Sequence, residues 1–192
     1  AKYAFYRTHY VNNDDKLIEV DNLYKQREVY VSTANMYTIF PFWDVSMSYD
    51  FQWNEMKADM YGFVFPTRFT NLLSIATALR LGKVKLQGSG LATFVNDRVK
   101  EGPAPKARQI LTPAVFLSYK PFDKHDFSLR AFYKKTFRMP TFNDLYYADM
   151  GNSKLDPEYV TQYNLGTVYQ KQWGNKLFRH FKIQADGYYN YV

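Results

Sequence analysis

Between Asp44 and Asn54 the chain reads DVSMSYDFQWN: Val45, Met47, Tyr49, Phe51 and Trp53 alternate with Asp44, Ser46, Ser48, Asp50, Gln52 and Asn54. Successive side chains of a β-strand point to opposite faces, so this register predicts a ribbon with one apolar and one polar surface. The alternation recurs. It marks Ala1 to Val11, then, after the polar NNDDK, a mixed strand from Arg27 to Phe40 that ends at Phe40-Pro41-Phe42. Tyr61 to Leu81 follows, with Leu73, Ile75, Leu79 and Leu81 opposing Ser74, Ala76 and Arg80, up to a tight turn at Leu81-Gly82-Lys83. Val84, Leu86, Ala92 and Phe94 then oppose Lys85, Gln87, Ser89 and Thr93, with Gly88 and Gly90 expected to form a bend or bulge. Beyond KEGPAPKARQ and KPFDKHD the pattern returns in Leu111 to Tyr119, Phe127 to Tyr133, Tyr163 to Tyr169 and Phe181 to Ala185. No amphipathic helix competes with it.

These segments are long. At roughly 10 to 14 residues each, they exceed the usual globular strand of about 5 to 6 and match the about 9 to 11 needed for a tilted membrane crossing. Short connections are expected near 41, 82, 122 and 174, and longer ones at 12–26, 54–60, 99–108 and 138–158. Short turns at one rim and long loops at the other is how transmembrane barrels are built. Aromatic residues near the predicted strand ends (Trp43, Trp53, Tyr61, Phe94, Tyr119, Phe137, Tyr169, Trp173 and Tyr191) fit the girdles of such barrels. The expected fold is therefore all-β, an antiparallel transmembrane β-barrel, of which the chain supplies about eight or nine strands.

Composition narrows the chemistry. Aromatic residues are 19% of the chain, with 18 Tyr and 16 Phe, which favours strands over helices. There is no cysteine, so neither disulfides nor thiolate metal sites are available. The net charge of +7 comes from Lys and Arg scattered singly, which reads as solvated surface and not as a nucleic-acid site. His9, His125 and His180 are too far apart for a local metal box, and Asp14, Asp15, Asp21, Asp144 and Asp149 read as turn residues. No catalytic constellation stands out, no cofactor is implied, and no run of about 18 apolar residues predicts a transmembrane helix.

One region carries a motif. Residues 137–147 read FRMPTFNDLYY, Gly151 to Glu158 read GNSKLDPE, and Tyr163 to Gly166 read YNLG. In residue chemistry this is an ordered loop: Pro140 stops ladder donation after Arg138, Asn143 and Asp144 favour a turn, Gly151-Asn152 supplies backbone freedom, and Pro157 restarts extended chain. In order and spacing the three blocks resemble the TonB-dependent outer-membrane receptors. The resemblance implies a barrel of about 22 strands, so residues 1–192 are expected to be part of that barrel from its C-terminal half, with the plug domain absent. It further implies the outer membrane of a Gram-negative cell, contact with lipid or lipopolysaccharide, and a TonB complex engaged through the plug.

The resemblance also implies that the loop is extracellular and contributes to the ligand region, with Arg138, Pro140, Phe142, Asn143, Tyr146, Tyr147, Gly151, Asn152, Pro157 and Glu158 as its candidate residues. The small-molecule ligand is then a ferric siderophore, haem or cobalamin, or an oligosaccharide. Haem receptors carry similar boxes, often with a histidine between them. Here Met139 and Ser153-Lys154 depart from that pattern and no His occurs between 138 and 158, which leaves Tyr146 or Tyr147 as a conceivable axial oxygen ligand. Two other readings follow from the strands alone: a soluble β-sheet module that stacks aromatic rings on glycans, and a barrel hydrolase.

Overall fold

The computed structural model describes residues 1–12, 20–102, 104–146, 152, 154–172 and 180–192. Nine strands, β1 (Lys2–Asn12), β2 (Val20–Phe40), β3 (Trp43–Ala58), β4 (Thr67–Leu81), β5 (Val84–Arg98), β6 (Arg108–Tyr119), β7 (Asp126–Arg138), β8 (Glu158–Gln172) and β9 (His180–Tyr191), form one sheet in chain order. Every neighbouring pair is antiparallel. The sheet is an open meander, not closed within this chain. No described helix is long and apolar enough to cross a membrane, which leaves crossing by strands untouched.

The strands outrun their apolar alternation. β2 has 21 residues and starts at Val20, well before Arg27, because Asp21 to Gln26 pair with β1 from Val11 back to Tyr6. A ladder satisfies backbone N–H and C=O groups whatever the side chains are, so the polar alternation lost beyond the apolar band does not end the strand. At about 3.3 Å per residue β2 spans about 70 Å, well beyond what a strand tilted about 45° needs to cross a core about 30 Å thick. β4, by contrast, starts at Thr67 and not Tyr61. Gly62 at φ 72 and Phe65 at φ 49 turn the chain, and the amide of Met56 donates to the carbonyl of Pro66 at 3.0 Å.

Gly88 and Gly90 form no bulge. β5 keeps continuous register with both neighbours, Gly88 facing Thr77 and Val115, and Gly90 facing Ile75 and Pro113. The glycine thus stands opposite the pyrrolidine ring of a mid-sheet proline, which has no ladder N–H of its own. The register slips instead between Thr38 and Phe40, at the Pro41-Phe42 turn, where the rings of Phe40 and Phe42 stack at 5.4 Å.

Register assigns every side chain to a face. Asn54, Arg68 and Asp97 share one row, as do Trp53, Phe69 and Asn96 on the opposite face. The face with Asp44, Ser46, Ser48, Asp50, Gln52 and Asn54 is also the one against which Pro140 and Phe142 pack, through Arg68, Tyr24 and Met56. The other carries Met47, Tyr49, Leu73, Ile75, Leu111 and Leu165, all exposed. A contiguous exposed apolar face opposite a partly covered polar one inverts the arrangement of a soluble sheet. Of the aromatic residues expected at strand ends, Trp43, Trp53, Phe94, Tyr119, Phe137, Tyr169 and Tyr191 lie on the apolar face, by their register partners. Tyr61 projects fully from a connection, and Trp173 lies outside the described residues.

Connections at 41–42, 82–83 and 120–125 lie on one rim, and those at 59–66, 99–107 and 139–157 on the other. The connections at 13–19 and 173–179 lie outside the described residues. The main buried apolar cluster, Tyr24, Met56, Phe63 and Phe142, sits on the polar face at the long-connection rim. Loops folding inward make it.

Candidate functional site

The site is the segment that returns from β7 to β8. Arg138 ends β7 opposite Glu158, the first residue of β8. Pro140 cannot continue the ladder, and the next four residues cap a helix where the sequence reading expects only a turn: α1, Phe142–Tyr146. The Thr141 amide donates to Asp144 Oδ2 at 2.8 Å, and the Asp144 amide donates to Thr141 Oγ1 at 3.2 Å, a reciprocal capping box. The Thr141 amide first, then the Thr141 hydroxyl and the nearby Arg138 guanidinium, hold the Asp144 carboxyl below the usual carboxylate range. Phe142 and Leu145, three residues apart on one side of α1, are each 5% exposed.

A clasp from the sheet holds this segment. Arg68 on β4 and Asp97 on β5 face each other in register and pair through two bonds, Nε to Oδ1 at 2.7 Å and Nη2 to Oδ2 at 2.6 Å. The remaining guanidinium nitrogen, Nη1, donates to the carbonyl of Pro140 at 2.6 Å, and the Arg68 Cζ lies 5.2 Å from the centre of the Phe142 ring. The two side chains are 10% and 5% exposed. The planar fork lets one guanidinium pair bidentately with a carboxylate and still donate to a third acceptor, a geometry a lysine does not offer.

Three cavities flank the clasp. One of about 390 Å³ lies between Arg68, Asp97, Lys106, Arg108, Met139, Leu155 and Pro157. A second of about 400 Å³ is bounded by Tyr6, Thr8, Tyr24, Gln26, Asn143 and Asp144. A third of about 300 Å³ lies under Arg138, Pro140, Asp144, Asp156 and Glu158. Arg108 pairs with Asp156 across the opening.

The sequence-predicted residues divide. Pro140, Phe142 and Pro157 are buried and shape the segment. Asn152 ties it internally, its amide donating to the Asp144 carbonyl at 2.9 Å and its side-chain oxygen accepting from the Lys154 amide at 3.0 Å. Arg138, which reaches Asp144 at 3.4 Å, Asn143 and Glu158 are exposed at the cavities. Tyr146 is half-buried, and its enclosed hydroxyl has no hydrogen-bond partner among the described residues. Burial first, and the Asp97 charge second, push its phenol above the usual tyrosine value, with Arg68 opposing. That disfavours the phenolate which ligation of a ferric ion would require. Tyr147 and Gly151 lie outside the described residues.

Arg68, Asp97, Lys106 and Arg108 were not singled out by sequence. Each is one more charged residue on a polar face or loop, and only register and loop docking assemble them. Among the described residues no group of three or more His, Asp or Glu is placed to hold a metal.

Long antiparallel strands, apolar on one face and polar on the other, with a capped loop folded over the polar face, define a wall segment of an outer-membrane-type β-barrel. The sequence matches the family model "TonB dependent receptor-like, beta-barrel" over residues 2–192, and the chain belongs to that family, one of outer-membrane receptors and transporters. Three solved structures share the fold. The FrpB iron transporter of Neisseria meningitidis (F3-3 variant) aligns at TM-score 0.68 and 12% identity, covering 90% of this chain and 29% of that one. The copper transporter OprC aligns at TM-score 0.67 and 13% identity, covering 98% and 33%. A double mutant of the Serratia marcescens hemophore receptor HasR, in complex with its hemophore HasA and heme, aligns at TM-score 0.65 and 11% identity, covering 98% and 39%. The chain thus spans between 29% and 39% of the length of these structures. No curated protein matches it by sequence.

Proposed function

We propose that this chain forms part of the wall of an outer-membrane transporter that binds a scarce metal- or haem-type ligand, such as a ferric siderophore, haem or cobalamin, and imports it with energy delivered by TonB through a plug domain. The observation that carries this reading is the 139–157 segment. Its described residues arise from the long-connection rim and are clamped at Pro140 by Arg68 over the polar face, which becomes the lumen when the barrel closes. A ligand descending through that rim meets Arg138, Asn143 and Glu158 at the cavity mouths, while Pro140, Phe142, Asn152 and Pro157 hold the shape; Tyr146, Tyr147 and Gly151 belong to the same segment. The raised phenol of Tyr146, with its hydroxyl enclosed, disfavours Tyr146 as a direct iron ligand.

The test is a growth and uptake assay on cells lacking the parent gene, offered haem, ferric siderophores, cobalamin or oligosaccharides one at a time as the limiting nutrient. Uptake of one ligand is expected to fail, and to depend on energised TonB in the wild type. Unchanged uptake of every ligand, with the protein in the soluble fraction, would sink the reading.

A further inference from the structure

Four cations line the cavity of about 390 Å³ beside the clasp, and they are not equivalent. Arg68 is taken up by Asp97 and the Pro140 carbonyl, and Arg108 pairs with Asp156. Lys106 and Lys154 are exposed, and neither has an acidic partner among the described residues. Asp97, the one carboxylate among the described lining residues, already belongs to Arg68. With the pairs set aside, the cavity carries two surplus ammonium groups on flexible stems.

The two lysines come from different connections, Lys106 from 99–107 and Lys154 from 139–157. Between them the walls are largely apolar, with Val95 and Leu145 buried and Met139 and Pro157 beside them. An apolar cavity of about 150 Å³ holds benzene, so this one has room for a substituted ring. It lies near the lower limit, about 300 Å³, of sites that enclose a whole small molecule, so it takes one part of a larger ligand. Like charges at the mouth of a low-dielectric cleft focus their field on whatever enters it.

We propose that this cavity receives one ring-bearing, anionic arm of an iron chelate, the ring against Met139, Leu145 and Pro157 and the negative charge between Lys106 and Lys154. The ligand is then an anionic chelate and not a neutral one. This rests on the transport reading above and narrows its ligand class. A neutral chelate leaves both ammonium groups without an anion, whereas an anionic arm satisfies both and ties the two connections together. Catecholate and aryl carboxylate arms share this chemistry.

The experiment titrates the intact receptor in detergent micelles by tryptophan fluorescence. The probes are a ferric tris-catecholate, a ferric chelate with aryl carboxylate arms, a neutral ferric trihydroxamate, cobalamin and haem. One of the first two is expected to bind most tightly, with an affinity that falls as salt rises. Lys106→Gln/Lys154→Gln should weaken that probe about 10-fold and flatten its salt dependence, and Lys106→Arg/Lys154→Arg should keep its affinity within about twofold. The equal charge loss Lys83→Gln/Lys120→Gln on the opposite rim should change neither. Hydrogen exchange at the Lys106 and Leu155 amides should slow together when the anionic probe binds. Tighter binding of a neutral probe or haem, failure of both anionic chelates to bind, or unchanged affinity in the Gln variant overturns the proposal. Uptake by cells reports on the transport reading separately: import of a neutral chelate or haem through this receptor keeps the transporter and sinks only the anionic arm.

Discussion

Replacing Arg68 by Met tests whether one side chain holds the loop in the lumen. The substitution keeps an unbranched stem of similar reach but leaves Asp97, 5% exposed, as an uncompensated carboxylate. Removing one partner of a buried ion pair costs about 3 to 5 kcal/mol. It also deprives the Pro140 carbonyl of its 2.6 Å donor and the Phe142 ring of its cation. A hydrogen bond from a charged donor contributes about 1.5 to 3 kcal/mol, so the segment should open about 10- to 150-fold more often. The double variant Arg68→Met/Asp97→Leu separates the effects: with no stranded charge the sheet should regain most of its stability, since apolar replacement of a buried pair is often neutral, while the loop stays released. Hydrogen exchange at the Phe142 to Tyr146 amides reads the loop, and heat-modifiable gel mobility of the purified receptor reads the barrel. If Arg68→Met leaves loop exchange unchanged, or if the double variant restores it, the clasp does not hold the segment and the reasoning fails.

Three further outcomes follow from the same geometry. The depressed Asp144 carboxyl stabilises α1 fully above the ordinary aspartate pKa of about 3.9 and loses that contribution as pH falls through its lower folded value; the protection factor at the Leu145 amide, corrected for intrinsic exchange, should fall on acidification in the wild type but stay constant in Asp144→Asn. A Cβ at Gly166 would sit 2.0 Å from Asp186 Oδ1 and 3.3 Å from the Ala185 carbonyl. Gly166→Ala should therefore destabilise the β8–β9 edge by about 1 to 3 kcal/mol, and Gly166→Ala/Asp186→Ala should recover most of it in thermal unfolding. Ile75→Arg, on the apolar face opposite Met47, should lower barrel stability in lipid by about 2 to 4 kcal/mol, whereas Ser74→Arg on the polar face should be nearly neutral; equal effects in urea titrations of reconstituted protein would show that the faces are misassigned.

The two-residue period from Asp44 to Asn54 was enough to assign Val45, Met47, Tyr49, Phe51 and Trp53 to one face. Strand alternation is a local property of the backbone, carried by each residue irrespective of what lies across the sheet. The turns at Pro41-Phe42 and Gly82-Lys83 were legible for the same reason, as was the family signature, which is local in sequence. The extension of β2 back to Val20 was not, because ladder hydrogen bonds leave no mark on side-chain polarity. Nor was the straight passage of β5 through Gly88 and Gly90, since whether a glycine bends a strand depends on its cross-strand ladders, here continuous with both β4 and β6. α1 escaped notice because five residues are too few to show a helical period, and its capping box reads equally well as a turn.

The sequence by itself determined the elements, their two faces and the segment that carries the candidate site. Only the tertiary structure decided what that segment does in the fold. Arg68, Asp97 and Pro140 are scattered along the chain, and they meet because β4 and β5 pair in one register and the loop from β7 folds back over them. Periodicity is written residue by residue, but pairing is a long-range choice made by the whole sheet, and the clasp is a product of pairing.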